Sequence, residues 1–275
     1  MALRFAYNTN GVANHRLDDA LALIADSGYD GVALTLDHQH HDPYAPDFDA
    51  ATERLARRLR ELKLGCVVET GARFLLDPRA KHEPTLVTRD PEGRKHRVDF
   101  LTRALRVAAV TGADAMSFWA GVPKPGVDRG EAWKWFAEGV AEVVHAAERL
   151  AAVAALEPEP GMLVETVDDY RKLKADLPGL RLALDVGHCL VTGDREPSDA
   201  VRETAAELGT VSIEDMKRGE HIHLPFGEGD VDVPGVLRAL NDIKFDRLVC
   251  VELSRDAHRA DTMVPAALAY LRARL

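Results

Sequence analysis

The chain has 275 residues, of which 45 are acidic and 35 are basic, so its formal net charge is −10. The length suits one large domain, and a hydrophobic content of 46% is ordinary for a folded core, which argues against disorder. The excess of acid argues against a nucleic-acid-binding protein, because phosphate contact needs clustered lysine and arginine. No apolar run approaches the roughly 20 residues that span a bilayer, so no membrane partner is expected.

The cysteines indicate a reduced compartment. Cys66, Cys189 and Cys250 are odd in number and form no Cys-x-x-Cys pair. The start of the chain lacks the basic and apolar segments of a signal peptide. We therefore expect a cytoplasmic protein. Cys189 has no paired base in the sequence, so we expect a structural role for it.

Eight short apolar runs predict β-strands that are covered on both faces. They occupy residues 3–8, 31–36, 65–70, 114–119, 152–157, 180–186, 209–214 and 248–253. Amphipathic helical patterns separate these runs. Asp128 followed by Glu131, for example, predicts the start of a long helix over 129–151.

This alternation predicts the fold class. Eight strands and eight helices in repeats of about 34 residues indicate a single (β/α)8 TIM barrel that occupies residues 1–275. The alternative, an open doubly wound sheet, is disfavoured because no Gly-x-Gly-x-x-Gly follows the first strand. In a TIM barrel, the chemistry lies at the C-terminal ends of the strands.

Acidic side chains close several of the apolar runs. A single acid at a strand end is most often a helix cap or a solvated charge. Here, however, Glu157, Asp185 and Glu252 each end a strand and would converge on the barrel axis. Three carboxylates in one place repel each other and need a counter-charge. A divalent cation supplies it, and carboxylate with imidazole is a common ligand set for zinc, manganese and iron.

Two local spacings add histidines to this set. In Asp185-x-x-His188, Gly187 would let the chain bend so that both side chains reach one site. In His221-x-His223, two imidazoles would share one face of an extended segment, in the loop after the seventh strand. The sequence therefore predicts a metal site at the mouth of the barrel.

Several fragments together resemble the xylose isomerase-like TIM-barrel superfamily over essentially the whole chain. This superfamily includes sugar phosphate isomerases and epimerases, ketose 3-epimerases, inosose-type enzymes and apurinic endonucleases. The fragments are LEPEPG (156–161), LDVGH (184–188), SIEDM (212–216), HLPFGEGDVD (223–232) and VELS (251–254).

The resemblance implies roles for the strand-end residues. In the sugar epimerases, the residues that match Glu157, Asp185 and Glu252 bind the metal, and the two glutamates also act as acid and base. His188 matches a residue that contacts the metal or the substrate. A fourth ligand is usually a histidine on strand 7, but that position holds Ser212 here.

The endonuclease-like branch implies another ligand set. By resemblance to that branch, His188, His221 and His223 of this chain would form a three-histidine cluster. We expect one main metal, with His221 or His223 replacing the missing strand-7 histidine, although two metals stay open. DNA repair itself is disfavoured by the net charge and because the early-strand histidines of that branch have no clear match.

The resulting hypothesis is a divalent-metal-dependent isomerase or epimerase of a sugar, sugar phosphate or cyclitol, active in carbohydrate metabolism. Its metal would be Mn, Co, Zn, Mg or Fe. Glu157 and Glu252 would move a proton through an enediolate, while a hydride shift stays open. The alternatives are a metal-dependent hydrolase or lyase, and a barrel that binds a sugar-like ligand without turnover.

The substrate-binding candidates are Glu69, Trp119, Arg255 and Lys81. Trp119 would either stack on a sugar or pack in the core. Lys81 belongs to a long loop, roughly 71–97, whose positive charge indicates either an anionic group on the substrate or a solvated lid. A homodimer stays open, because no interface pattern is evident in the sequence.

Overall fold

The computed structural model describes residues 2–275. Within them, eight parallel strands close into a barrel in the order β1-β10-β7-β6-β5-β4-β3-β2, and two further strands form a separate antiparallel hairpin. The strands are Arg4–Asn8 (β1), Gly31–Thr35 (β2), Gly65–Glu69 (β3), Met116–Phe118 (β4), Ala154–Leu156 (β5), Arg181–Asp185 (β6), Leu208–Ile213 (β7), Asp215–Lys217 (β8), Glu220–Leu224 (β9) and Leu248–Val251 (β10). The eight predicted strands and the TIM-barrel fold class are confirmed.

Helices surround the barrel and cover its outer face. They are Leu17–Asp26 (α1), Phe48–Leu62 (α2), Pro91–Thr111 (α3), Arg129–Leu150 (α4), Val167–Lys174 (α5), Val186–Thr192 (α6), Pro197–Glu203 (α7), Val233–Asp242 (α8) and Ala260–Arg272 (α9). Asp128 accepts hydrogen bonds from the N–H groups of Gly130 and Glu131, as its capping pattern predicts. Within residues 2–275, no helix is both long enough and apolar enough to cross a membrane.

Small side chains fill the lower interior of the barrel. Two buried clusters inside it consist of Ala6, Ala33, Val67, Leu248 and Cys250, and of Ala115, Ala155 and Ala183. The large apolar side chains instead lie between the strands and the helices. Because side chains alternate along a strand, the next inward-facing positions toward the C-terminal ends fall at the barrel mouth.

The structure differs from the predicted elements in three places. Between β6 and β7 there are two helices, α6 and α7, because Gly193 adopts a left-handed conformation that ends α6 and Pro197 then starts α7. The segment with His221 and His223 is a strand of the hairpin, not a loop. The long loop ends before 97, because Asp90 caps α3 and Pro91 begins it.

Candidate active site and metal centre

A cavity of about 570 Å³ opens at the C-terminal ends of the barrel strands. All but one of the predicted site residues line it. These are Glu69, Lys81, Trp119, Glu157, His188, His221, His223, Glu252 and Arg255. The remaining one, Asp185, lies directly beside the cavity wall and is buried.

Strand alternation explains why these carboxylates converge. Ala155 faces the barrel interior on β5, and Glu157 follows two residues later at the end of the same strand. Ala183 and Asp185 repeat this arrangement on β6, and Glu252 repeats it on β10. Each strand therefore presents a small residue to the packed interior and an acid to the mouth.

His188 has a defined orientation in the first turn of α6. Its Nδ1 lies 3.1 Å from the carbonyl oxygen of Pro158, and its Nε2 lies 3.0 Å from Nε2 of His221. Burial lowers the pKa of His188 to about 4, so the ring is neutral near pH 7. Since Nδ1–H donates to the carbonyl, Nε2 carries the free lone pair. This is the usual arrangement of a histidine that binds a metal.

The hairpin brings two further histidines to this ring. His221 and His223 lie two residues apart on β9 and therefore share one of its faces. Their ring centroids lie 4.7 Å and 6.3 Å, respectively, from that of His188. One ligand atom of each ring lies within 4.8 Å of those of the other two. Asp215 stabilises the segment that follows β9 by accepting hydrogen bonds from the N–H groups of Gly227 and Val231.

Two glutamates border the histidines. Oε1 of Glu157 lies 3.8 Å from Nδ1 of His188, and Oε2 of Glu159 lies 3.7 Å from the same atom. Glu159 also reaches His221, with 3.6 Å between Oε1 and Nε2. Glu157 was favoured in the sequence because it closes the strand. The structure places both glutamates at the cavity, so Glu159 is a site residue that this choice missed.

Asp185 links the end of β6 to His188. Its Oδ1 accepts a hydrogen bond of 3.0 Å from the backbone N–H of His188 and so caps α6. Its Oδ2 is buried, lies 3.6 Å from Nε2 of His188, and has no hydrogen-bond partner within residues 2–275. A buried carboxylate oxygen without a donor is costly, and a cation would satisfy it.

Burial and mutual repulsion make the cavity glutamates weak acids. The pKa of Glu69 and that of Glu252 both rise to about 7, chiefly through burial and then through neighbouring carboxylates. The same causes hold the pKa of Glu157 well above its usual range. Burial also opposes ionisation of Asp185, but the neighbouring histidines and its hydrogen bond outweigh this and hold its pKa below the usual range.

These pKa values predict a pH-dependent effect of Glu69→Gln on the protein without metal. A carboxyl group whose pKa is higher in the folded state stabilises the fold when it is protonated. This stabilisation is complete below the unfolded pKa of about 4.5 and is lost as the pH rises to the folded pKa of about 7. Glutamine removes the charge, so the variant should gain stability over the parent, by ~1–2 kcal/mol, between pH 5 and pH 8. Urea unfolding in EDTA measures this gain, and a gain independent of pH would contradict the assignment.

Glu214 is a buried carboxylate that the sequence analysis missed. It follows β7, and its carboxylate lies close to Asp185 and His223. One ligand atom of each of the three side chains lies within 4.8 Å of the other two. It lay inside the quoted SIEDM fragment. The signal that would have found it is its position, since it ends an apolar strand as Asp185 and Glu252 do.

Gly187 provides the space that Glu214 occupies. A Cβ atom at position 187 would lie 2.3 Å from Oε1 of Glu214 and 2.8 Å from the sulfur of Met216. Gly187 lies within α6. Its role is therefore to admit the Glu214 side chain, whereas the sequence interpretation had assigned it a bend in the chain.

Replacing Gly187 by alanine is expected to destabilise the protein by ~1–3 kcal/mol, because Glu214 must move from a packed site. The urea midpoint measures the loss. Gly130→Ala is the matched control, since its added Cβ would meet only Oδ1 of Asp128, which is 3.1 Å away and belongs to an exposed side chain rather than a buried one. Equal effects of the two substitutions would show that Gly187 does not make room for Glu214.

The opposite side of the cavity carries the predicted substrate-binding residues. Trp119 is 7% exposed, and the Arg97 guanidinium carbon lies 4.4 Å from its ring centroid. His82 contacts the same ring edge-on, with 5.5 Å between centroids. Trp119 is therefore packed against Arg97 and also lines the cavity, while stacking on a sugar stays a prediction.

Cations surround the mouth of the cavity. Lys81 and Arg255 are exposed there, and Arg73, from the same positively charged loop as Lys81, also lines the cavity. Asn10 is a site residue that the sequence did not indicate. It lies just after β1 and donates a hydrogen bond of 2.8 Å from Nδ2 to Oε1 of Glu252, which fixes that carboxylate.

Comparison with known proteins adds to this picture. The profile of a family described as "Xylose isomerase-like TIM barrel" matches residues 21–274. A search of the curated proteins found no match.

Several solved structures share the fold. The 3-keto-D-glucoside 4-epimerase of E. coli is 17% identical, with a TM-score of 0.78 and coverage of 99% of this chain and 100% of that chain. The IolI protein with a binding zinc atom is 18% identical, with a TM-score of 0.75 and coverage of 99% and 96%. A probable 3-DHS dehydratase of Bacillus anthracis is 15% identical, with a TM-score of 0.77 and coverage of 98% and 99%.

At these identities, the likeness to solved structures establishes the shared barrel. The neighbours named here for an activity are enzymes, in agreement with the prediction of an enzyme of this superfamily. The family profile spans nearly the whole barrel and includes every strand end that carries a carboxylate or a histidine of the site. The chain belongs to the family of xylose isomerase-like TIM barrels.

Proposed function

We propose that the protein is a divalent-metal-dependent isomerase or epimerase of a sugar, sugar phosphate or cyclitol. The observation that carries the proposal is the convergence of Glu157, Glu252 and His188 on one cavity at the barrel mouth. A volume of about 570 Å³ is that of a pocket for a small molecule. The name of the 3-keto-D-glucoside 4-epimerase supports the choice of a sugar-like substrate.

Glu157 and Glu252 are the proposed acid and base. They belong to β5 and β10, which are separated by β6 and β7 around the barrel, so they approach a bound substrate from different sides. One removes a proton from a carbon beside a carbonyl group, and the other returns a proton. Return to the opposite face of the same carbon gives an epimer, and return to the neighbouring carbon gives an isomer. Without a bound cation, burial and the neighbouring carboxylates raise the pKa of both groups, and a carboxyl with a raised pKa can act as an acid as well as a base.

The donor set at the cavity fits a divalent cation. The buried Asp185 Oδ2 has no hydrogen-bond partner in residues 2–275, and it lies 3.6 Å from Nε2 of His188, which also lies 3.0 Å from Nε2 of His221. Glu157, Asp185 and His188 offer three ligand atoms within 4.8 Å of one another, and these three would hold the metal with His221, His223 and Glu252 around them. When bound, such an ion acidifies the carbon by polarising its carbonyl group. The IolI protein with a binding zinc atom supports a metal in this fold.

The cations at the mouth favour a substrate with an anionic group. Arg73, Lys81 and Arg255 all line the cavity, and none forms an ion pair with a carboxylate of residues 2–275. A phosphate or carboxylate on the substrate would be held by these side chains. The polyol part would then extend toward the carboxylates below.

Deuterium exchange tests the proposal. The metal-loaded protein would be incubated in D2O with ketoses, their phosphates, 3-keto-glycosides and inososes, and followed by NMR. Proton transfer predicts deuterium on the carbon beside the carbonyl group of a substrate, together with the epimer or isomer. A product without deuterium would replace proton transfer by a hydride shift. No conversion of any of these compounds would overturn the proposed function.

The second candidate function is a metal-dependent hydrolase or lyase on the same site. The three-histidine group of His188, His221 and His223 favours it, since such a group holds a cation that activates water. The name of the probable 3-DHS dehydratase supports a lyase. The same NMR series separates this candidate, because loss of water or cleavage gives a product that no epimerase forms.

A further inference from the structure

The seventh strand of the barrel lacks the histidine that the resemblance implies as a metal ligand. That position holds Ser212, which pairs with Asp185 of β6 and Cys250 of β10. Since those two neighbours face the interior, Ser212 does so as well. The alternation brings Glu214 to the same face two residues later, closer to the C-terminal end of the barrel.

Glu214 has no partner for either carboxylate oxygen. Its side chain is fully buried, and Oε1 and Oε2 both lack a hydrogen-bond donor within residues 2–275. Oδ2 of Asp185 and Nδ1 of His223 are also buried and unpartnered, and Nδ1 of His223 lies 4.0 Å from Oε2 of Glu214. Among the described residues, no lysine or arginine forms an ion pair with Glu214 or Asp185.

The surrounding chain is built to admit this carboxylate. Only a glycine at position 187 leaves room for Oε1 of Glu214, which lies 2.3 Å from where a Cβ would stand. A proton shared between the carboxyl groups of Glu214 and Asp185 would satisfy one oxygen of each and leave the other Glu214 oxygen and Nδ1 of His223 without a partner in residues 2–275. An unpaired buried polar group costs about 1–3 kcal/mol. One divalent cation among Asp185, Glu214 and His223 would satisfy an atom of each.

We propose that Glu214 is a metal ligand in this chain and takes the place of the missing strand-7 histidine. With Asp185 and His223 it gives an oxygen–oxygen–nitrogen set, which suits manganese, zinc or iron. This inference rests on the metal dependence in the proposed function. It extends that proposal to a residue for which the resemblance implies no role.

Binding of Mn²⁺ to the purified full-length chain tests the inference. Titration calorimetry, with the free Mn²⁺ signal in electron paramagnetic resonance as a second readout, would compare the parent with Glu214→Gln. The variant keeps the shape of the side chain and loses the carboxylate, so its Mn²⁺ affinity should fall by at least about 10-fold. Glu207→Gln is the control, since Glu207 precedes β7 at the opposite end of the barrel and should leave the affinity unchanged.

The outcomes separate this inference from the proposed function. If the parent binds Mn²⁺ and Glu214→Gln binds it equally well, Glu214 is not a ligand, while the metal-dependent function stands. If the parent itself does not bind Mn²⁺, both proposals fail. Should Glu214→Gln not fold, Glu214→Asp retracts the carboxylate by one methylene. It should also bind Mn²⁺ more weakly than the parent, and parent-like affinity would overturn the inference.

Discussion

Glu252→Gln and Glu157→Gln are each expected to lower the rate of deuterium exchange into substrate by about 10²- to 10⁴-fold. Glutamine preserves the size of the side chain but neither accepts nor returns a proton from carbon. Asn10 donates to Oε1 of Glu252, and a glutamine in the same orientation would keep that hydrogen bond. The loss should therefore appear in kcat more than in KM.

The control for these two variants is Glu83→Gln. Glu83 lies in the loop after β3, forms an ion pair with Lys124, and does not line the cavity. Its replacement should leave the exchange rate within about 2-fold of the parent, as for a surface substitution. Retained exchange in Glu252→Gln and in Glu157→Gln would remove both residues from the chemistry and leave Glu159 as the next candidate.

Asp185→Asn is expected to weaken divalent-metal binding by at least about 100-fold, the upper end of what loss of an outer partner costs. Asparagine retains an oxygen that caps His188, so α6 should stay folded. It removes the negative charge from the buried Oδ2, which no donor in residues 2–275 satisfies. Activity that depends on the metal should fall in parallel.

Asp128→Asn provides the matched comparison for Asp185→Asn. Asp128 also caps a helix, α4, but it is exposed on the protein surface. The two substitutions change the same chemical group in the same local role, and only the environment differs. If both variants bind Mn²⁺ as the parent does, Asp185 serves only as a helix cap. Thermal unfolding of each variant in EDTA verifies that the fold is retained.

The sequence was sufficient for the fold because its signals are local and repeated. Each strand is a short apolar run, and the barrel follows from their number and spacing. Strand-end position alone then located Glu157, Asp185 and Glu252, because a closed parallel barrel gathers those ends at one face. The cytoplasmic location and a homodimer stay predictions.

Other parts of the site depend on contacts between distant segments. Glu159 lies between two prolines beyond the end of β5, where strand alternation no longer predicts the direction of a side chain, yet it reaches both His188 and His221. Asn10 acts on a carboxylate 242 residues away, a pairing that no local pattern contains. Glu214 ends an apolar strand, which the sequence shows, but the space that Gly187 leaves for its side chain is visible only in the packing of α6 against β7.

The loop after β2 contains histidines that do not belong to the site. His40 and His41 lie in a histidine-rich run, DHQHHDP (37–43), directly after β2. In the structure both are buried, and they bond to the carbonyl oxygen of His15 and to the hydroxyl group of Thr52, respectively. Neither lines the cavity. Their role is structural, and composition alone does not distinguish them from His188.

The most direct test of the central claim is an anomalous difference map from crystals of the protein soaked in Mn²⁺. The account predicts its strongest peak at the barrel mouth, within about 2.0–2.3 Å of a carboxylate oxygen of Asp185 or of Glu157, with at least one of His188, His221 and His223 also bound. A well-occupied peak elsewhere on the protein, with none in this cavity, would contradict a metal centre built from these strand ends.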